Sequence, residues 1–156
     1  MSATARRFGA ATGLLALALV LGGCAGLLQS PPVPGPLPFP EISGILGRDG
    51  IDIANWTAGD DGCDDPTLSA TAIRFDAVGL DEPATQHLRI YIFRNRDAWE
   101  RRLADVDACA AAWAEDPATF QIVQVSPYVL AGQGPWPPGF SAALRKGLTE
   151  AAGTGD

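Results

Sequence analysis

The chain has 156 residues and a mass of 16.2 kDa, enough for one domain and too short for two of ordinary size. Lys and Arg number 11 against 18 Asp and Glu, a formal charge of −7. That balance argues against a nucleic-acid partner, whose affinity rests on basic side chains meeting phosphates, and three cysteines with one histidine argue against a Cys/His zinc site.

Residues 8–28 carry no charged side chain and are dominated by Leu, Ala, Gly and Val, with Arg6 and Arg7 just before them. A basic start, an apolar stretch and then small residues is the layout of a secretory signal. The run is also long enough to span a bilayer of ~30 Å, so a retained signal anchor is the alternative. At its end Leu21, Gly22, Gly23 and Cys24 place a branched apolar residue and two small residues before a cysteine. They resemble the lipobox of bacterial lipoproteins. The resemblance implies a signal peptide over residues 1–23, cleavage before Cys24, and lipidation of Cys24. The Cys24 sulfur would carry diacylglyceryl and its new amine an acyl group such as palmitate. It places the protein at the bacterial cell membrane, lipid-anchored and facing the extracytoplasmic side. Several acyl chains give durable anchoring, each buried CH₂ contributing about 0.8 kcal/mol. Loss of residues 1–23 removes two Arg and no acid, so that nine basic residues face 18 acids, a formal −9. Anionic head groups repel such a domain, which leaves the lipid as the membrane contact.

Residues 31–40 read PPVPGPLPFP, with six prolines in ten positions. Proline fixes φ and lacks an N–H, so residues 24–41 are expected to form a lipidated cysteine followed by an extended tether. The folded domain is expected over residues 42–148, with a disordered tail over 149–156.

Within that domain four strands are expected in chain order. Ile51–Trp56 alternates, and Ala72–Val78 sets Ile73, Phe75 and Ala77 on one face with Arg74 and Asp76 on the other. Leu88–Phe93 is rich in β-formers and reads as central. Phe120–Leu130 contains Pro127, which marks a bulge or an edge in that strand. Two helices are expected. One covers Asp97–Glu115, with Trp99, Leu103, Val106, Ala110 and Trp113 at helical spacing and Asp97 with Glu100 forming a capping box. The other covers Phe140–Ala151, with Phe140, Leu144 and Leu148 on one stripe and Gly147 weakening it by about 1 kcal/mol. The order β-β-β-α-β-α predicts an α+β domain: a small antiparallel or mixed four-stranded sheet with two helices packed on one face.

Cys63 and Cys109 remain once Cys24 is lipidated. Two thiols in an oxidising compartment normally pair, and closing a loop of about 47 residues is worth roughly 4 kcal/mol in the chain-entropy model. Asp60, Asp61, Asp64 and Asp65 crowd one short loop. They are candidate calcium ligands, although the alternating spacing of an EF-hand is missing and Asp/Gly turns account for them as well. Any histidine-based catalysis must use His87, and no Gly-x-Ser-x-Gly elbow accompanies it. Eighteen acids leave carboxylate pairs open for acid–base chemistry. Trp136, Phe140 and Tyr128 lie in or beside a stiff Gly/Pro loop, where aromatics can anchor a ligand or complete a small core; the core reading is preferred on grounds of size.

These readings converge on a lipid-anchored extracytoplasmic lipoprotein with a non-catalytic domain that binds a protein or small-molecule ligand in the envelope or serves a structural role, with no cofactor and no nucleic acid. The alternatives are a small envelope hydrolase using a carboxylate pair and a calcium-dependent binding module. The composition, with Lys146 the lone lysine and Ala, Gly, Pro and Arg abundant, resembles that of small uncharacterised lipoproteins of GC-rich bacteria, a likeness that carries no activity.

Overall fold

The proline-rich stretch does not stay extended to its end. The computed structural model describes residues 35–153, and its first helix, α1, covers Phe39–Arg48. Pro40 lies in the first turn, where a missing N–H costs nothing and a fixed φ suits the helix. Phe39, Ile42, Ile45 and Leu46 are its buried residues. Just before it, the Leu37 N–H donates to the Tyr128 hydroxyl at 2.8 Å. The folded unit therefore begins before residue 42, and the expected tether is shorter at this end. The expected signal peptide (1–23), Cys24, most of the tether and residues 154–156 lie outside the described residues.

The remaining elements are β1 (Ile51–Ala58), α2 (Pro66–Ser69), β2 (Ala72–Gly79), β3 (Glu82–Ile92), α3 (Arg96–Trp113), β4 (Gln121–Val125), β5 (Tyr128–Gly132) and α4 (Pro138–Ala152). The strands form one antiparallel sheet in the order β1-β2-β3-β5-β4. The α+β class with an antiparallel sheet holds, but five strands replace the expected four and four helices the expected two. The extra strand arises at Ser126-Pro127. What reads as one long strand is a hairpin, because a residue without an N–H breaks the ladder and β4 turns back onto β5 there. The tail is also shorter than expected, since α4 runs on to Ala152 and buries Ala151.

The two expected helices do not share a face. Phe75, Leu88, Ile90, Tyr128 and Leu130 pack with α1 and α4 through Ile42, Leu46, Phe140, Leu144 and Leu148. The opposite face carries Ala72, Tyr91, Phe93 and Val129, which pack with Leu68 of α2 and Val106 and Cys109 of α3. A sheet apolar on both sides needs a cover on both. The missed α1 supplies the partner for α4 and frees α3 for the other face. Gly147 belongs to this arrangement: a Cβ there would lie 2.5 Å from Leu46 Cδ2, so the glycine lets α1 and α4 approach closely.

The helix caps also differ from the expected ones. Asn95, not Asp97, caps α3, its Oδ1 accepting from the Ala98 N–H at 2.9 Å. Helix α4 has no side-chain cap of its own. Asp81, in the β2–β3 turn, reaches across and accepts from the Gly139 and Phe140 N–H groups at 3.1 and 2.9 Å. Its charge lies at the positive end of the helix.

Candidate functional site

The alternation of β2 and β3 turns Arg74 and Asp76, and likewise His87 and Arg89, away from the α1/α4 core. The register then sets Arg74 opposite Arg89 and Asp76 opposite His87. Beside them lies an open cavity of about 500 Å³. Its walls include Arg74, His87, Arg89, Trp113 from the end of α3, Glu115 and Gln133.

Asp76 is the pivot of one polar chain. Its Oδ1 lies 2.6 Å from His87 Nδ1, and its Oδ2 accepts from Asn55 Nδ2 at 2.9 Å. Asn55 is available because β1 breaks register between Ala54 and Thr57, with Asn55 itself at φ 50°. Asparagine tolerates that left-handed conformation, and a bulge re-aims a side chain across a sheet. The Asn55 amide holds the Asp76 carboxyl below the usual carboxylate range, against the effect of burial and with help from His87. With Asp76 accepting the Nδ1 proton, Nε2 is the acceptor of the neutral ring. The imidazole is 63% exposed.

Arg89 is bound on both sides. Nε and Nη2 donate to Asp60 Oδ1 at 3.0 and 2.9 Å, and its guanidinium carbon stands 4.4 Å from the centre of the Trp113 ring. Gly62 makes room for this stack. It has φ +85°, and a Cβ there would meet Trp113 Cδ1 at 2.5 Å and Arg89 Nε at 2.8 Å.

The acidic loop is occupied by its own structure. Asp60 holds Arg89, and Asp65 caps α2 by accepting from the Thr67 N–H at 2.7 Å. Asp61 accepts from the N–H groups of Cys63 and Asp64 at 3.1 and 3.0 Å and from the Ser69 hydroxyl at 2.8 Å. Burial opposes its ionisation, but the Ser69 hydroxyl and these N–H groups outweigh that and hold its carboxyl below the usual range. Asp64 is exposed at φ 59°. Asp60, Asp61 and Asp65 serve separate bonds, and among the described residues the four carboxylates do not gather into one cluster. Asp61 does approach the sulfurs of Cys63 and Cys109. Those sulfurs are bonded to each other as a disulfide and offer no thiolate to a metal.

The aromatics read as candidate ligand anchors are buried in the α1/α4 core. Trp136 is 5% exposed, and Phe140 and Tyr128 are fully buried. The Gly/Pro loop folds back on the sheet, so they form no binding tip. Burial pushes the Tyr128 and Tyr91 phenols up, which keeps both as donors. Tyr128 donates to the Ala151 carbonyl at 3.3 Å and Tyr91 to that of Asp61 at 2.7 Å. Of the residues that line the cavity, the sequence marks only His87 as a candidate for chemistry; Arg74 and Trp113 stand out there only as positions on a strand face and a helical stripe. The alternation in Ala72–Val78 put Arg74 and Asp76 on one face, but their partners depend on strand register. Among the described residues no helix is long and apolar enough to cross a membrane. No protein-family model, curated protein or solved structure matches the chain.

Proposed function

We propose that the protein is a lipoprotein of the bacterial cell membrane, anchored through Cys24, whose α+β domain is a non-catalytic module that binds a ligand on the extracytoplasmic side. The observation that carries the binding reading is the open cavity walled by Arg74, His87, Arg89 and Trp113. It is concave and large enough for a small molecule, with a few placed polar groups. Leu21-Gly22-Gly23-Cys24 supports the anchor, and the Cys63–Cys109 disulfide suits an oxidising compartment. The acids bonded to the cavity's basic residues support binding over acid–base chemistry by a carboxylate pair, because Asp76 and Asp60 are bonded to His87 and Arg89 and not to each other.

A second reading is favoured by the Asp76–His87 contact itself. A carboxylate that orients an imidazole is half of a hydrolytic constellation. Two measurements separate the readings. Mass spectrometry of the mature protein should show a chain that begins at a lipidated Cys24, and an intact Met1 terminus would reject the anchor. On the binding reading the unaltered purified protein should show no ester or phosphoester turnover above background; turnover by the unaltered protein that disappears in His87→Gln would favour the hydrolase.

A further inference from the structure

We infer that the cavity on the α3 face takes a small molecule through one oxyanion group, a carboxylate or a phosphate, held by Arg74 beside His87. This rests on the binding reading above and names the chemistry of the ligand.

The sheet register creates the site. Arg74 and Arg89 are directly opposite each other on β2 and β3. Like charges in that position are unfavourable unless each is compensated. Arg89 is compensated by Asp60 and by the Trp113 ring. The Arg74 guanidinium has no hydrogen bond or ion pair among the described residues, only a Coulombic attraction to Asp76. Asp76 does not turn to it, because one of its oxygens is taken by His87 and the other by Asn55.

Arg94, Arg101 and Arg145 also lack such partners, but they are exposed, where water solvates a guanidinium. Arg74 is half-buried in the wall of a cavity of about 500 Å³. Its guanidinium offers a planar fork of donors, which a carboxylate or phosphate fits in bidentate fashion. His87, held through Nδ1 by Asp76, supplies a further polar group in the same walls, and the Gln133 amide, also in the wall, is tied to Thr119 and to the backbone of Asp116, so that it reports on the site without being needed to hold the ligand. Glu115, also in the wall but exposed, stands with Asp60 and Asp76 against a polyanion. The ligand therefore carries one oxyanion group and not a run of phosphates.

The test is a titration of the full-length mature lipoprotein in detergent micelles, followed by NMR. The signals are the His87 imidazole and the Gln133 side-chain amide. The probes are benzoate, its neutral isostere benzamide, and inorganic phosphate. Benzoate or phosphate should give saturable shifts at both signals, and benzamide should bind at least tenfold more weakly than benzoate. Arg74→Gln should weaken the responding anion at least tenfold, while Arg145→Gln should leave it unchanged. Saturation by phosphate alone would assign the oxyanion to a phosphoryl group. Benzamide binding as tightly as benzoate, with no response to phosphate, would overturn the oxyanion assignment and leave the binding reading standing. Anion binding unchanged in Arg74→Gln would overturn it too. An absence of saturable shifts from all three probes would overturn both. Should Arg74→Gln fail to fold, the comparison of benzoate with benzamide on the unaltered protein still decides.

Discussion

Trp136→Ala removes the largest side chain of the loop that precedes α4. The indole is 5% exposed, its Nε1–H donates to the Gln133 carbonyl at 2.9 Å, and its ring meets the Phe140 ring edge-on at 6.2 Å between centres. It lies directly against β5, since a Cβ on Gly132 would stand 2.8 Å from its Cζ2. Truncating a buried Trp costs about 3–5 kcal/mol, and that range already includes part of the aromatic pairing, worth about 0.5–1.5 kcal/mol by itself. The lost indole bond adds about 1 kcal/mol at most, because water can reach the half-buried Gln133. A cost of about 4 kcal/mol is a large share of the 5–15 kcal/mol typical of a domain. At about 3–5 °C per kcal/mol for a domain of this length, Tm should fall by some 12–20 °C. Thermal unfolding followed by far-UV circular dichroism, on the oxidised protein at neutral pH, measures it. Trp136→Phe keeps most of the packing and should lie between the two. A Tm for Trp136→Ala within two or three degrees of the parent would refute the reasoning and return the loop to the list of binding surfaces.

Asp81→Ala should cost about 1–2 kcal/mol, because α4 loses the only side chain among the described residues that accepts from its first N–H groups, and urea denaturation should show a lower midpoint with an unchanged slope. Cys63→Ser with Cys109→Ser should destabilise by roughly 4 kcal/mol, and thiol labelling of the unfolded, unreduced parent should find neither of these cysteines reactive. Gly132→Ala should destabilise by about 1–3 kcal/mol, since its Cβ would fall 2.3 Å from Leu88 Cδ2 in a filled core; a neutral result in the same denaturation assay would mean that β5 can shift. Asp61 and Asp76 both have folded-state values below the ordinary 3.8. Their contribution is fully present above that value and is lost as pH falls through the lower folded values, so stability should drop below about pH 4 and Asp61→Asn should flatten the drop in an acid titration of Tm.

Local patterns in the sequence were enough for several elements. Alternation over Ala72–Val78 and the β-rich Leu88–Phe93 mark β2 and the core of β3, because period two is a property of a single strand. The stripe from Trp99 to Trp113 marks α3 for the same local reason. Helix α1 was hidden by composition: six prolines in ten residues read as extended chain, yet a proline in the first turn of a helix is harmless and Phe39, Ile42, Ile45 and Leu46 supply the apolar stripe. The hairpin at Pro127 was legible as an interruption but not as a reversal, since a bulge and a turn use the same missing N–H.

What the sequence by itself determined is which residues alternate, which lie on helical stripes, and the lipobox-like residues before Cys24. The tertiary structure alone decided that α3 and α4 lie on opposite faces, because that depends on α1 being present to share one of them. It alone decided the cavity as well. His87 is 11 residues from Asp76 in the chain and Arg89 is 29 from Asp60, and each pair meets only through strand register and loop closure. A site made of cross-strand neighbours has no spacing of its own in the sequence, since a one-residue slip of register would send each of its side chains to the other face.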